Sequence, residues 1–163
     1  MSYATVTDFI REFGLAETTE LLADETNMVT TENIKYHLND VEITDADELA
    51  AVRYAVERLE SMLAEAAKLM NGYIAKAARL PLSEATIAAA PVKTCNLELA
   101  RCQLMEDADN GTELSEKRCK RWLEWLKDLA SGKTTLSNKQ AATASCPVRQ
   151  GYSVSKYDWG AYP

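Results

Sequence analysis

From Leu49 to Ala77 the apolar side chains recur at alternating steps of three and four: Leu49, Val52, Val56, Leu59, Leu63, Ala66, Met70, Tyr73 and Ala77. Steps of that kind place side chains on one stripe of an α-helix. Asp45 stands before the stripe and Glu48 follows three residues later, in the manner of a capping box. The pattern predicts a helix from about 46 to 78, about 50 Å long at 1.5 Å per residue. A helix of that length exceeds what a domain of this size needs. Its surplus surface is expected to pack on neighbouring subunits or to span between layers.

The rest of the chain reads as further helices. Only 6 Gly and 4 Pro occur in 163 residues, which disfavours a turn-rich β-sandwich. Near the start, Thr7 is a candidate cap, Asp8 suits the positive end of a short helix, and Gly14 can stop it. A second short helix is expected over 16–23. Residues 24–44 are polar with scattered β-branched positions and read as a long loop, or a loose hairpin. Leu80-Pro81-Leu82 breaks the long helix, and 79–90 is a connector. Pro91 opens a helix to about 109 that is apolar on several faces (Leu97, Leu99, Leu104) and is expected to be buried. Asn110-Gly111 should end it. Ser115 is read as the cap of a last helix to about Ser131, with Trp122 and Leu126 on its apolar stripe and Gly132 beyond it. The fold class is therefore all-α: a small helical bundle with one long helix, a loop at about 24–44 and an extended C-terminal tail. The domain is drawn over 1–136 and the tail over 137–163. Leu63, Tyr73, Leu99, Leu104, Trp122 and Leu126 are the candidate core.

Charge and reactive residues narrow the function. The net charge is −7, and an acidic chain repels phosphate, so nucleic acid is not expected as a primary ligand. Residues 1–78 carry 15 acidic and 6 basic side chains, whereas 79–163 carry 10 and 12. No apolar run reaches the length of a membrane span, and no export signal is read at the start. Cys95, Cys102, Cys119 and Cys146 form no CxxC pair and are read as reduced thiols rather than zinc ligands. His37, the single histidine, falls in the polar loop with no neighbouring nucleophile, which argues against a general base. The acidic groups Asp45/Asp47/Glu48 and Glu106/Asp107/Asp109 read as helix-end charges, without the ligand spacing of a calcium loop. Lys117, Arg118, Lys120 and Arg121 are interleaved with Glu116, Glu124 and Asp128, so pairing along a solvated helix face is the expected use. No catalytic residue, metal or cofactor is expected.

The tail differs. Tyr152, Val154, Tyr157, Trp159 and Tyr162 lie in a stretch with no helical period. Large aromatics of this kind are enriched at interface anchors. They are the candidate partner-binding residues.

In order and spacing, these landmarks resemble the Mu-like tailed-phage family of head-completion proteins, also called head–tail adaptors or connectors. The residues that carry the likeness are Tyr3-Ala4-Thr5 through Asp8 to Phe13-Gly14; Gly72-Tyr73-Ile74 with Leu80-Pro81-Leu82; Pro91 through Cys95 to Leu99-Ala100-Arg101 and Leu104; and Trp122-Leu123 through Leu126 to Gly132-Lys133 and Leu136. They span about 1–22 and 46–136. The resemblance implies a helical subunit without catalysis or cofactor that assembles into a ring, often twelvefold, under the portal of the virion. Such a ring joins the portal protein to the tail or to a stopper protein and lines the channel through which DNA passes unbound. On this view the tail docks on the portal. The competing expectation is a cytosolic helical interaction module with no virion role, supported by the heptad-like stripe.

Overall fold

A computed structural model describes residues 2–23, 27–107 and 112–136. Seven helices and no strand occur among the described residues: α1 (Val6–Phe13), α2 (Leu15–Leu22), α3 (Thr31–Leu38), α4 (Ala46–Ile74), α5 (Glu84–Ala89), α6 (Val92–Asp107) and α7 (Glu113–Ala130). The fold is all-α, as the periodicity indicates. None of these helices is long and apolar enough to cross a membrane.

The long helix α4 is the axis of the fold. Asp45 caps it by accepting hydrogen bonds from the backbone N–H groups of Asp47 and Glu48. Its buried stripe is Val52, Ala55, Val56, Leu59, Leu63, Ala66, Ala67, Met70 and Ile74. The helix stops at Ile74 rather than 78. Beyond it the hydrogen bonding tightens to steps of three, from Lys76 N–H to Tyr73 O and from Ala77 N–H to Ile74 O. Such a turn keeps an apolar spacing that periodicity alone cannot tell from helix.

Helix α6 lies along α4, α7 packs against both, and α1, α2 and α3 each pack on α4 as well. Leu63, Leu99, Leu104 and Leu126 are buried in the shared core, and Tyr73 and Trp122 are half-buried against it. Trp122 and Trp125 meet edge to face at 5.9 Å. Burying a full leucine-sized side chain contributes about 1.5–3 kcal/mol, so this apolar seam dominates cohesion.

Several expectations need correction. Segment 24–44 is not loop throughout, because α3 occupies its centre. Thr30 caps α3 by accepting from Asn33 N–H, and Ile34 buries itself on the core. The 79–90 connector carries the short α5, capped by Ser83. Thr5, not Thr7, caps α1, in a reciprocal capping box with Asp8. Thr112, not Ser115, caps α7. Ser115 is the returning partner of that box, its hydroxyl accepting from Thr112 N–H at 2.9 Å. Gly14 and Gly132 hold positive φ (84° and 76°) at helix ends, where a side chain would be strained. Asn110-Gly111 lies outside the described residues.

The reduced-thiol reading fails for Cys102 and Cys119, while Cys146 lies outside the described residues. Cys102 on α6 and Cys119 on α7 form a disulfide, their Cα atoms 6.1 Å apart. Spacing along each helix says nothing about this pair, because the packing of α6 against α7 creates it. Cys95 is free and buried. Burial, helped by nearby Glu98, pushes its thiol up to about 12, so it behaves as a small apolar side chain.

Candidate interaction surface

The N-terminal helices are held by polar clamps as well as by apolar anchors. Asp8 pairs with Lys93 of α6 at 2.6 Å and with Arg11 at 2.5 Å. Burial alone would raise its carboxyl pKa, but Lys93 and the Thr5 N–H and hydroxyl hold it below its ordinary value. Arg101 of α6 pairs with Glu17 of α2 at 2.6 Å and lies 4.9 Å over the Phe13 ring. Asn33 of α3 donates to Glu48 Oε2 at 3.1 Å, which diverts Glu48 from the capping box expected of it. Asn96, fully buried on α6, donates to the Leu63 carbonyl at 2.9 Å and accepts from Ser2 Oγ at 2.9 Å. Tyr3 donates to Asn71 Oδ1, and burial raises its phenol pKa.

No group of three or more His, Cys, Asp or Glu that could hold a metal is found among the described residues. His37 sits half-buried in the last turn of α3 rather than in a loop. A cleft between α6 and α7 is lined by the disulfide, Met105, Glu106, Ser115, Glu116, Lys120 and Leu123, and the Ser115 hydroxyl is engaged by the Thr112 backbone.

What remains uncovered is more informative. The outward face of α4 is exposed from Ala50 to Gly72, through Tyr54 (69% exposed), Glu57, Ser61, Glu65, Lys68 and Leu69. The outward face of α7 presents Leu114 (63% exposed), Arg118, Arg121, Glu124 and half-buried Trp125. Pairing along α7 does occur, between Lys117 and Glu113 and between Lys120 and Glu116. Arg118 and Arg121, however, make no ion pair among the described residues. A third apolar group, Tyr36, Leu38 and Val41, stands exposed at the end of α3.

The sequence-predicted docking residues Tyr152, Val154, Tyr157, Trp159 and Tyr162 lie outside the described residues, so the α4 and α7 faces form the candidate surface. Sequence reading expected surplus surface on the long helix but named none of its residues and missed the α7 face, because exposed Tyr54, Leu69 and Leu114 break no period. The signal available was the excess of the basic run over its acidic partners.

No curated protein and no solved structure matches the chain. A family model, described as bacteriophage Mu, Gp36, matches residues 3–153. With nearly the whole length matched, the chain belongs to the bacteriophage Mu Gp36 family and is a phage protein.

Proposed function

We propose that the protein is a non-enzymatic structural component of the virion, a head–tail adaptor whose copies form a ring beneath the portal at the portal vertex. In this reading the ring connects the portal protein to the tail or to a stopper protein. The observation that carries it is membership of a phage family by a chain whose longest helix leaves one face uncovered from Ala50 to Gly72. An outward face running most of a helix about 43 Å long suits a subunit with neighbours. The acidic balance of residues 1–78 suits a channel wall past which DNA slides without adhering. Residues 137–163 are assigned to docking on the portal, with Tyr152, Val154, Tyr157, Trp159 and Tyr162 as anchors.

The test is assembly. Purified chain should co-sediment with portal rings of its own phage, and gold-labelled antibody should mark the portal vertex of particles. Deleting 150–163 should leave the melting midpoint unchanged while abolishing incorporation in a complementation assay. Label at any other site on the particle overturns the adaptor reading. A free dimer with no affinity for portal or particle returns the protein to the interaction-module alternative.

A further inference from the structure

We propose that α4 of one copy docks in parallel against α7 of the next, an interface between two different faces of the same chain. This rests on the ring reading above and names the surfaces that would close such a ring.

The argument is the order of side chains. Along α4 the centre of the outward face runs Tyr54, Glu57, Glu65, Lys68, Leu69: apolar, acid, acid, base, apolar, with exposed Arg53 and Glu60 along one edge. Along α7 it runs Leu114, Arg118, Arg121, Glu124, Trp125: apolar, base, base, acid, apolar, with Lys117 on the same arc but paired to Glu113. Read in the same direction, each charge meets its opposite and each apolar end meets an apolar end. In the reverse direction, Lys68 would face Arg118 and Glu57 would face Glu124. Like charges would oppose, so the order selects the parallel arrangement.

The geometry allows it. At about 100° per residue, the five α4 positions fall within an arc of about 120°, and the five α7 positions within a similar one. The α4 set spans about 22 Å and the α7 set about 16 Å. Long, flexible Arg and Lys side chains can take up that difference. Ser61, between the two acids, leaves room for the neighbouring helix to approach.

The charged members are also unengaged. Glu57, Glu65, Lys68, Arg118, Arg121 and Glu124 form no ion pair among the described residues, although Lys117 and Lys120 of the same helix do. Tyr, Trp and Arg are the side chains that dominate interface energetics. Because the two faces differ, the contact is head-to-tail. Repeated contacts of that type close into a ring or extend into a filament, whereas a self-complementary patch would stop at a dimer.

The experiment is a charge swap in the full-length chain. Glu57→Lys with Glu65→Lys makes one variant, and Arg118→Glu with Arg121→Glu the other. Sedimentation velocity over a concentration series, alone and on portal rings, reads neighbour association, and circular dichroism confirms that each variant is folded. Each variant alone should weaken association about tenfold or more. Mixing the two variants, or combining all four substitutions in one chain, should restore it, because opposite charges face each other again.

Association that survives either variant, or that the swap does not restore, overturns the pairing. So does a wild-type chain that finds no neighbour either free or on the portal. The two readings fail separately. Undiminished portal rings from both variants sink the pairing and leave the adaptor function standing. Swap-rescued association without portal binding sustains the pairing and removes the adaptor function.

Discussion

Between α4, α6 and α7 the seam is apolar except at the Asn96 bridge to Leu63, whereas α1, α2 and α3 reach the same core through a few apolar anchors, each beside a polar clamp. Phe9 goes with Asp8–Lys93, Leu21 and Leu22 with Glu17–Arg101, and Ile34 with Asn33–Glu48. The physics differs accordingly. Apolar burial sums over area and tolerates small shifts, while a clamp fixes one distance and contributes only about 0.5–3 kcal/mol. The long helices therefore supply stability, and the clamps set where the short helices lie.

The largest effect should come from breaking the seam. Leu99, buried on α6, replaced by Asp places an unpaired carboxylate in the core. A change of that kind is expected to remove the fold outright. A variant as soluble and heat-stable as the parent would show that α6 is not the buried partner of α4.

Next in size is the covalent tie. Cys102 and Cys119 are 17 residues apart, and closing a loop of about that length limits the unfolded chain by about 3 kcal/mol. Reductant, or the paired change Cys102→Ser and Cys119→Ser, should lower the melting midpoint by several degrees. No shift would mean that the apolar seam alone sets the α6–α7 approach.

Asn96→Ala should cost about 1 kcal/mol, since it removes a donor to the Leu63 carbonyl and an acceptor of the Ser2 hydroxyl, which keeps its other contact with Leu63 O at 3.3 Å. A denaturant midpoint equal to the parent's would show that this buried polar bridge adds nothing to the apolar contact around it.

The same division explains what could be read in advance. The α4 stripe, buried α6 and the Trp122–Leu126 face of α7 are written in periods of three and four, so the long helices were legible. Helix α3 was not, because eight residues carry one fully buried apolar side chain, Ile34, and a single point has no period. Asn96 was missed because a polar residue in an apolar helix signals nothing until its partner, 33 residues away, is in place. The disulfide and the Arg101–Glu17 pair are likewise products of the assembled fold. On the candidate surface, pairing along α7 was read correctly for Lys117 and Lys120. The unpaired state of Arg118 and Arg121 emerges only when all neighbours are placed.

The smallest effect tests the clamps through pH. Asp8 lies between Arg11 and Lys93, and its side chain is only 14% exposed. Burial opposes its charge, but the Lys93 ammonium and the Thr5 cap outweigh it, so the folded protein holds the carboxylate more firmly than the unfolded chain does. With the folded pKa depressed, the contribution to stability is complete above the unfolded value of about 4. It is lost as pH falls through the lower folded one. Asp8→Asn keeps a side-chain oxygen for the Thr5 N–H and removes the charge alone. It should lower stability at pH 7 by about 1 kcal/mol or less, a size usual for partly exposed pairs. As pH falls below the folded pKa, the melting midpoints of parent and variant should converge. If the gap is as wide in acid as at neutrality, the loss comes from the cap's geometry rather than from charge. The short helices would then be positioned by hydrogen bonds and apolar anchors, with the Lys93 pair a bystander.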